Sequence, residues 1–208
     1  MKTTNVAVAV AAVAAALALT GCTPSERAVG NPEAPLTPNP TAPQLAADEH
    51  DVVHNEVDIA FAQGMIPHHE QALAMTAAVE GKGASPQVAL LAETISQTQE
   101  AELAQLRELQ SSWGVPAAAP GTDHGGAQPG AAPTPGMLTA AQLQQLQQAS
   151  GAEFDRLFLQ LMITHHEGAV QMAQAEVAGG LDPDAKALAQ KIIDEQTAEI
   201  AQMRTLLG

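Results

Sequence analysis

A short string rich in histidine and methionine occurs twice in the chain, 97 positions apart. Residues 65–70 read Met-Ile-Pro-His-His-Glu, and residues 162–167 read Met-Ile-Thr-His-His-Glu. A further methionine follows each copy at the same offset, at Met75 and Met172. Thioether and imidazole groups bind soft and borderline metal ions. The two strings therefore predict a metal site.

The histidines and methionines of each string share one side of a predicted helix. At 100° per residue they fall on its apolar stripe, whereas Glu70 and Glu167 fall outside it and are predicted to be solvated. Neighbouring histidines point about 100° apart, so we expect one to face its own hairpin and the other to face across the molecule. The candidate ligands from the strings are Met65, His68, His69, Met75, Met162, His165, His166 and Met172.

Two interpretations are open for these side chains. The histidines are either metal ligands or hydrogen-bonded core residues. Each methionine is either a thioether ligand or a filler of the core, which is a common use of this residue. Pro67 stands inside the first predicted helix, where Thr164 stands in the second copy. It removes one helical hydrogen bond and favours a kink, so the two copies differ there.

One glutamate in each copy, Glu102 and Glu199, lies within a predicted buried face. The first is surrounded by Val88, Leu91, Ile95, Leu106 and Leu109, and the second by Leu188, Ile192, Met203 and Leu206. A carboxylate within an apolar face is costly unless it is paired or metal-bound. Each glutamate is thus a metal ligand, a partner that orients a ligand, or a hydrogen-bonding partner of a neighbouring histidine.

The strings belong to a wider duplication, because residues 58–111 align with 155–208 without a gap. Apolar residues recur with a period near 3.6, and Ala, Gln, Glu, Leu and Met dominate, which favours helices. Four long helices are predicted, together with a short Gln-rich one at 139–148. The long helices run from Asn55 to about Val79, from Ser85 to about Ser112, from near Ala152 to Gly179, and from Asp182 to the C-terminus. They predict an all-α four-helix bundle of two duplicated hairpins.

The N-terminal region has the pattern of an exported lipoprotein. Residues 1–21 have a positive start and a short apolar run, typical of a signal peptide. Leu19-Thr20-Gly21-Cys22 is similar to a lipobox, which predicts lipidation of Cys22 and anchoring to the cell membrane. Residues 22–48 are predicted to be a flexible tether, residues 49–208 the helical domain, and residues 113–137 a linker between the repeats (about 55–112 and 139–208).

Composition excludes some classes of partner and site. The formal charge of −15 disfavours nucleic acid and is compatible with cations. Cys22 is the only cysteine, so neither a disulfide framework nor a thiolate metal site is expected. No nucleophile–base signature or phosphate-binding glycine loop is present, so we expect no enzyme.

The duplicated pattern resembles the bacterial domain-of-unknown-function family 305. The resemblance rests on Asp58, Phe61, the two Met-x-x-His-His strings and the Gln-x-x-Glu of each repeat, and it covers about residues 50–208. It implies a ferritin-like four-helix bundle, usually exported, and copper binding or copper tolerance in some members.

Three functions are compatible with these observations. The first is an extracytoplasmic lipoprotein that binds copper, sequesters it or passes it to a copper-handling protein. The second is a module without metal, in which His and Glu form a buried network and the acidic surface meets a partner. The third is a ferritin-like redox enzyme, which lacks support because neither repeat has the Glu-x-x-His of di-iron bundles. Copper is the expected metal, with another divalent ion as the alternative.

Overall fold

The computed structural model describes residues 53–116 and 134–208. Within these ranges all regular structure is helical, which confirms the prediction of an all-α fold. The helices are α1 (Glu56–Ala77), α2 (Pro86–Ser112), α3 (Ala140–Gln148), α4 (Gly151–Gly179) and α5 (Pro183–Leu207). The helix α1 continues through Pro67. None of the described helices is both long and apolar enough to cross a membrane.

Capping residues set the starts of the helices. The side chains of Asn55, Ser85 and Asp182 accept hydrogen bonds from the first-turn N–H groups of α1, α2 and α5, as predicted. The predicted end of α1 at Val79 was two residues too late, because Gly81 and Gly83 adopt positive φ and form a turn.

The helices form two hairpins, α1–α2 and α4–α5, that pack together through α1 and α4. These two helices are antiparallel. The Asn55 side chain donates to the carbonyl of Gly179 at 2.9 Å, so the start of α1 lies at the end of α4. At the opposite end the N–H of Gly151 donates to the carbonyl of Lys82 at 2.7 Å. Equivalent positions of the two repeats therefore meet at the middle of the bundle.

The apolar core of the described residues is divided into three clusters, each with residues from both repeats, and two of them are large. One includes Ala72, Met75, Val88, Phe158 and Met162. The other includes Phe61, Met65, Leu106, Ala169 and Ile192. The prediction that Leu206 is buried was wrong, since it is 37 % exposed in the last turn of α5, and Leu109 is half-buried.

Several predictions concern residues outside the described ranges. They are the signal peptide (1–21), the lipidation of Cys22, the tether (22–48) and most of the linker (113–137).

Candidate metal centre

Four buried histidines occupy the middle of the bundle, between the two large apolar clusters. His68, His69, His165 and His166 each have no exposed surface. The helices α1 and α4 bring the two pairs together because they cross in antiparallel orientation. The neighbouring residues Gln99, Glu102, Gln196 and Glu199 are also buried. These eight residues are called the polar layer below.

The second histidine of each pair bonds to the glutamate of its own hairpin. Nε2 of His69 lies 3.0 Å from Oε2 of Glu102, and Nε2 of His166 lies 2.7 Å from Oε2 of Glu199. The first histidines face each other across the bundle. The ring centroids of His68 and His165 are 3.6 Å apart, with planes inclined by 34°. One histidine of each pair thus faces its own hairpin and the other faces the opposite repeat, as the 100° spacing predicts.

Most of the nitrogens of these rings lack hydrogen bonds. Both nitrogens of His68 and of His165 are buried without a partner, as is Nδ1 of His69 and of His166. A buried polar group without a partner costs about 1 to 3 kcal/mol. Such groups are rare in native proteins, so each calls for an explanation, such as an ion that the nitrogens would bind.

The central histidines are neutral at physiological pH. Burial, aided by the nearby His69 and His166, lowers the pKa of His68 to about 3, against the opposing effect of the Pro135 backbone. Burial, followed by the neighbouring His68, also holds the pKa of His165 well below its usual value. A neutral imidazole keeps a lone pair for a metal ion, and no proton has to be displaced near pH 7.

The methionines lie in the clusters on either side of the polar layer. Met65 and Met172 belong to one cluster, and Met75 and Met162 to the other. Each cluster thus receives the first methionine of one repeat and the second methionine of the other. Met65, Met75 and Met162 are fully buried, whereas Met172 is half-buried beside Gly64.

The glutamates that end the two strings lie outside the polar layer, as predicted. Glu70 pairs with Arg107 at 2.8 Å, and Glu167 pairs with Arg204 at 2.7 Å. All four side chains are at least one-third exposed, so these surface ion pairs contribute little to stability.

The structure also places residues at the layer that the sequence reasoning did not identify. Nζ of Lys191 lies 3.1 Å from Oε1 of Glu102. Burial raises the pKa of Glu102, but the hydrogen bonds from His69 and Lys191 outweigh this and lower it overall. The alignment of the repeats contains a signal for this residue, because Thr94 stands at the position equivalent to Lys191.

The end of the linker packs beside the central histidines. The backbone of Pro135 and Gly136 contacts α4 so closely at Gly168 that a Cβ on either glycine would overlap backbone atoms. Gln71 fixes the next turn: its Nε2 donates to the carbonyl of Leu138 at 3.1 Å, and its Oε1 accepts from the N–H of Leu138 at 2.7 Å.

Throughout residues 53–116 and 134–208, no three His, Asp or Glu side chains converge as a preformed ligand set. The available donors are the imidazole nitrogens without hydrogen bonds, and the clusters on either side contain the thioethers. Imidazole and thioether ligands suit copper, whereas Mg²⁺ and Ca²⁺ require several oxygen ligands.

Comparisons with known proteins place the chain in a family. Among solved structures, a DUF305 protein of Streptomyces coelicolor described as secreted matches with 29 % identity and a TM-score of 0.64, over 73 % of this chain and 91 % of that one. A DUF305 fragment from Deinococcus radiodurans matches with 30 % identity and a TM-score of 0.65, over 74 % and 97 %.

A third similar structure is CopM in its Cu(I)-bound form, with 30 % identity and a TM-score of 0.57, over 72 % of this chain and 94 % of that one. CopM has also been solved with Cu(II) and with silver. No curated protein matches. The model of the domain of unknown function DUF305 matches residues 58–207. The chain is therefore a member of the DUF305 family.

Proposed function

We propose that this protein is an extracytoplasmic, membrane-anchored lipoprotein that binds copper in the polar layer and either sequesters it or passes it on. The observation that carries the proposal is the pair of central histidines, His68 and His165. They are fully buried and neutral, and none of their four nitrogens makes a hydrogen bond of normal geometry, although backbone groups of Pro135 and His68 lie near enough to oppose the lowering of the two pKa values. A bound copper ion would give these nitrogens a partner.

The types of ligand favour copper over harder ions. The repeats offer imidazole and thioether groups without any thiolate, a combination that suits Cu(I) outside the cytosol, where a cysteine would be open to oxidation. The metal-bound forms of CopM, and the description of the Streptomyces coelicolor relative as secreted, support the same function and location.

Each residue of the layer would then have a distinct role. His68 and His165 would bind the ion from opposite repeats. His69 and His166 have only Nδ1 left for an ion, since their Nε2 atoms are held by Glu102 and Glu199. A carboxylate in that position orients the ring and makes it a stronger donor. Either ring would join the central pair only after the layer adjusts, because no three of these side chains converge as a ready ligand set among the described residues. The methionines of the flanking clusters would supply thioethers.

A module without metal is the second candidate, and the two His–Glu hydrogen bonds are the observation that favours it. That network satisfies only one nitrogen of His69 and one of His166, and it leaves His68 and His165 without partners. A di-iron redox enzyme has less support, because the layer contains two carboxylates and both already bond to histidine.

Competitive titration of Cu(I) under anaerobic conditions tests the proposal. The full chain is compared with an H68L/H165L variant, in which apolar side chains of similar size replace the two rings. We expect the wild type to take copper from a competing chelator and the variant to lose this ability. The H54A variant is the control, because His54 stacks on Trp113 outside the layer and its removal should leave the affinity unchanged.

The same variant separates a metal site from a structural network. Replacement of polar groups that have no partners by apolar groups is neutral or stabilising. We therefore expect the metal-free H68L/H165L protein to melt at the wild-type temperature or higher. A wild type that binds no Cu(I), together with a variant that melts much lower, would overturn the copper proposal and support a structural network.

A further inference from the structure

We infer that Lys191 makes the two His–Glu pairs unequal, so that copper associates with the pair of His166 and Glu199 in preference to the pair of His69 and Glu102. This inference rests on the proposed function and adds an order of preference to it.

The two pairs have the same residues but different surroundings. Nζ of Lys191 lies 3.1 Å from Oε1 of Glu102 and 2.7 Å from Oε2 of Glu195, so α5 holds an ammonium group against the first pair. The equivalent of Lys191 in repeat 1 is Thr94, and the equivalent of Glu195 is Thr98. The hydroxyl of Thr94 donates to the carbonyl of Leu90 within its own helix. The pair of His166 and Glu199 therefore has no matching cation from α2.

The lysine disfavours copper at the first pair in three ways. Its charge repels a second cation at close range. It withdraws electron density from Glu102, which makes His69 a weaker donor than a histidine bound to a free carboxylate. It also competes for Glu102 if that carboxylate is to bind copper directly. All three effects have the same sign, whether Glu102 is a ligand or only orients His69.

Access to solvent points in the same direction. The side chain of Glu102 has no exposed surface, whereas 11 % of the Glu199 side chain is exposed. An ion that approaches from solvent thus meets Glu199 at the surface of the layer, while Glu102 lies behind Lys191.

The test is imidazole NMR of the full, ¹⁵N-labelled chain during a Cu(I) titration. We expect the ring signals of His166 to respond at a lower copper concentration than those of His69. If both rings share one ion, we expect the signals of His166 to change more strongly. The K191T variant installs the residue of repeat 1, and we expect the two responses to become equal. Its copper affinity should rise about two- to fivefold, the range of a half-exposed charge.

Three further variants make this test specific. T94K places a lysine beside the second pair and should weaken its response. K191R keeps the charge and should preserve the wild-type order, in which His166 responds before His69. If Lys191 acted only through packing, this order would not have to survive the substitution. K186T removes a lysine at the end of the bundle, where Nζ donates to the carbonyl of Gly180, and should leave the order unchanged.

The outcomes separate this inference from the proposed function. If the wild type binds no copper, the proposed function fails. If copper binds but His69 responds first, or if K191T leaves the difference between His69 and His166 unchanged, the role of Lys191 is wrong while copper binding stands.

Discussion

Gln71 and Gly168 hold the same position in the two repeats, two residues after the second histidine of each pair, yet they contact the end of the linker in opposite ways. Gln71 uses its side-chain amide to bond both backbone groups of Leu138. Gly168 uses the absence of a side chain, which lets the backbone of Pro135 and Gly136 pack directly on α4. The short segment 135–138 contacts both repeats, through a backbone packing contact at Gly168 and a side-chain amide at Gln71, so identical residues at this position could not have served both contacts.

A second difference lies at the ends of the bundle. Asp155 accepts a hydrogen bond from the N–H of Ser85, and its equivalent, Asp58, accepts from the N–H groups of Leu181 and Asp182. Each aspartate thus holds the hairpin turn of the other repeat. Beside Asp58 lies a buried carboxyl group, Glu176, whereas the equivalent residue of repeat 1 is Val79. The repeats share the His–Glu pairs at the centre, and they diverge both at Lys191 beside the first pair and where each repeat meets the rest of the chain.

The largest expected effect is at Gly168. The Gly168→Ala substitution places a Cβ where the carbonyl of Pro135 and the Cα of Gly136 lie, and backbone atoms on both sides have to move. We expect a loss of about 2 to 4 kcal/mol in the free energy of unfolding, measured by urea denaturation. Unchanged stability would show that the linker does not pack on α4 in solution.

The matching substitution in repeat 1, Gln71→Ala, is expected to cost less. It leaves the N–H and carbonyl of Leu138 without their buried partner, at about 1 to 3 kcal/mol if water does not replace the amide. Gln105→Ala is the control, since that exposed side chain bonds only to its own helix and should change stability by less than about 0.5 kcal/mol. An equal loss of stability in Gln71→Ala and Gln105→Ala would show that the hydrogen bonds between Gln71 and Leu138 do not stabilise the fold.

Glu176 makes the end of α4 sensitive to pH. Burial and the adjacent Asp58 raise the pKa of Glu176 from 4.5 to about 8. The charge of Asp182 also raises this pKa, whereas the charge of Lys186 lowers it. Between these two values the folded state holds a proton that the unfolded state has lost. The free energy of unfolding should therefore fall as pH rises from about 4.5 to about 8.

Glu176→Val installs the residue of repeat 1 and removes this contribution. We expect the variant to gain stability over the wild type as pH rises through that window, as measured by urea denaturation at several pH values. A constant difference between the two proteins across the window would show that Glu176 titrates normally.

The smallest effect is expected at Gly64. A Cβ there would meet Sδ of Met172 at 3.5 Å, an ordinary contact, and the residue lies in the middle of α1. Gly64→Ala should therefore stabilise the protein by about 0.5 to 1 kcal/mol, by calorimetry or urea denaturation. It is also the control for Gly168→Ala, since a loss here would mean that any added methyl group near the layer is damaging.

Local patterns predicted much of the fold. Asn55, Ser85 and Asp182 begin their helices as their side chains suggest, and the 100° spacing correctly directs one histidine of each pair across the bundle. The same periodicity wrongly predicted that Leu206 is buried. A residue in the last turn of a terminal helix can be on the core-facing side of the helix and still extend past the end of the core.

Contacts between distant parts of the chain could not be predicted in this way. Lys191 and Glu102 are 89 positions apart, and Gln71 and Leu138 are 67 apart. No periodic pattern links them, since the contacts depend on how the two hairpins pack. The alignment of the repeats shows only that Lys191 and Gly168 depart from their equivalents, and the structure was needed to show what each of them contacts.

X-ray absorption spectroscopy of the copper-loaded full chain tests the central claim most directly, because it reports the atoms bound to copper. If the polar layer binds Cu(I), the spectrum of the wild type will contain the multiple-scattering features of imidazole. These features will weaken or vanish in H68L/H165L at matched protein and copper concentrations. Copper bound to the wild type without imidazole scattering, or with a spectrum unchanged in that variant, would contradict the account and place the metal outside the histidine layer.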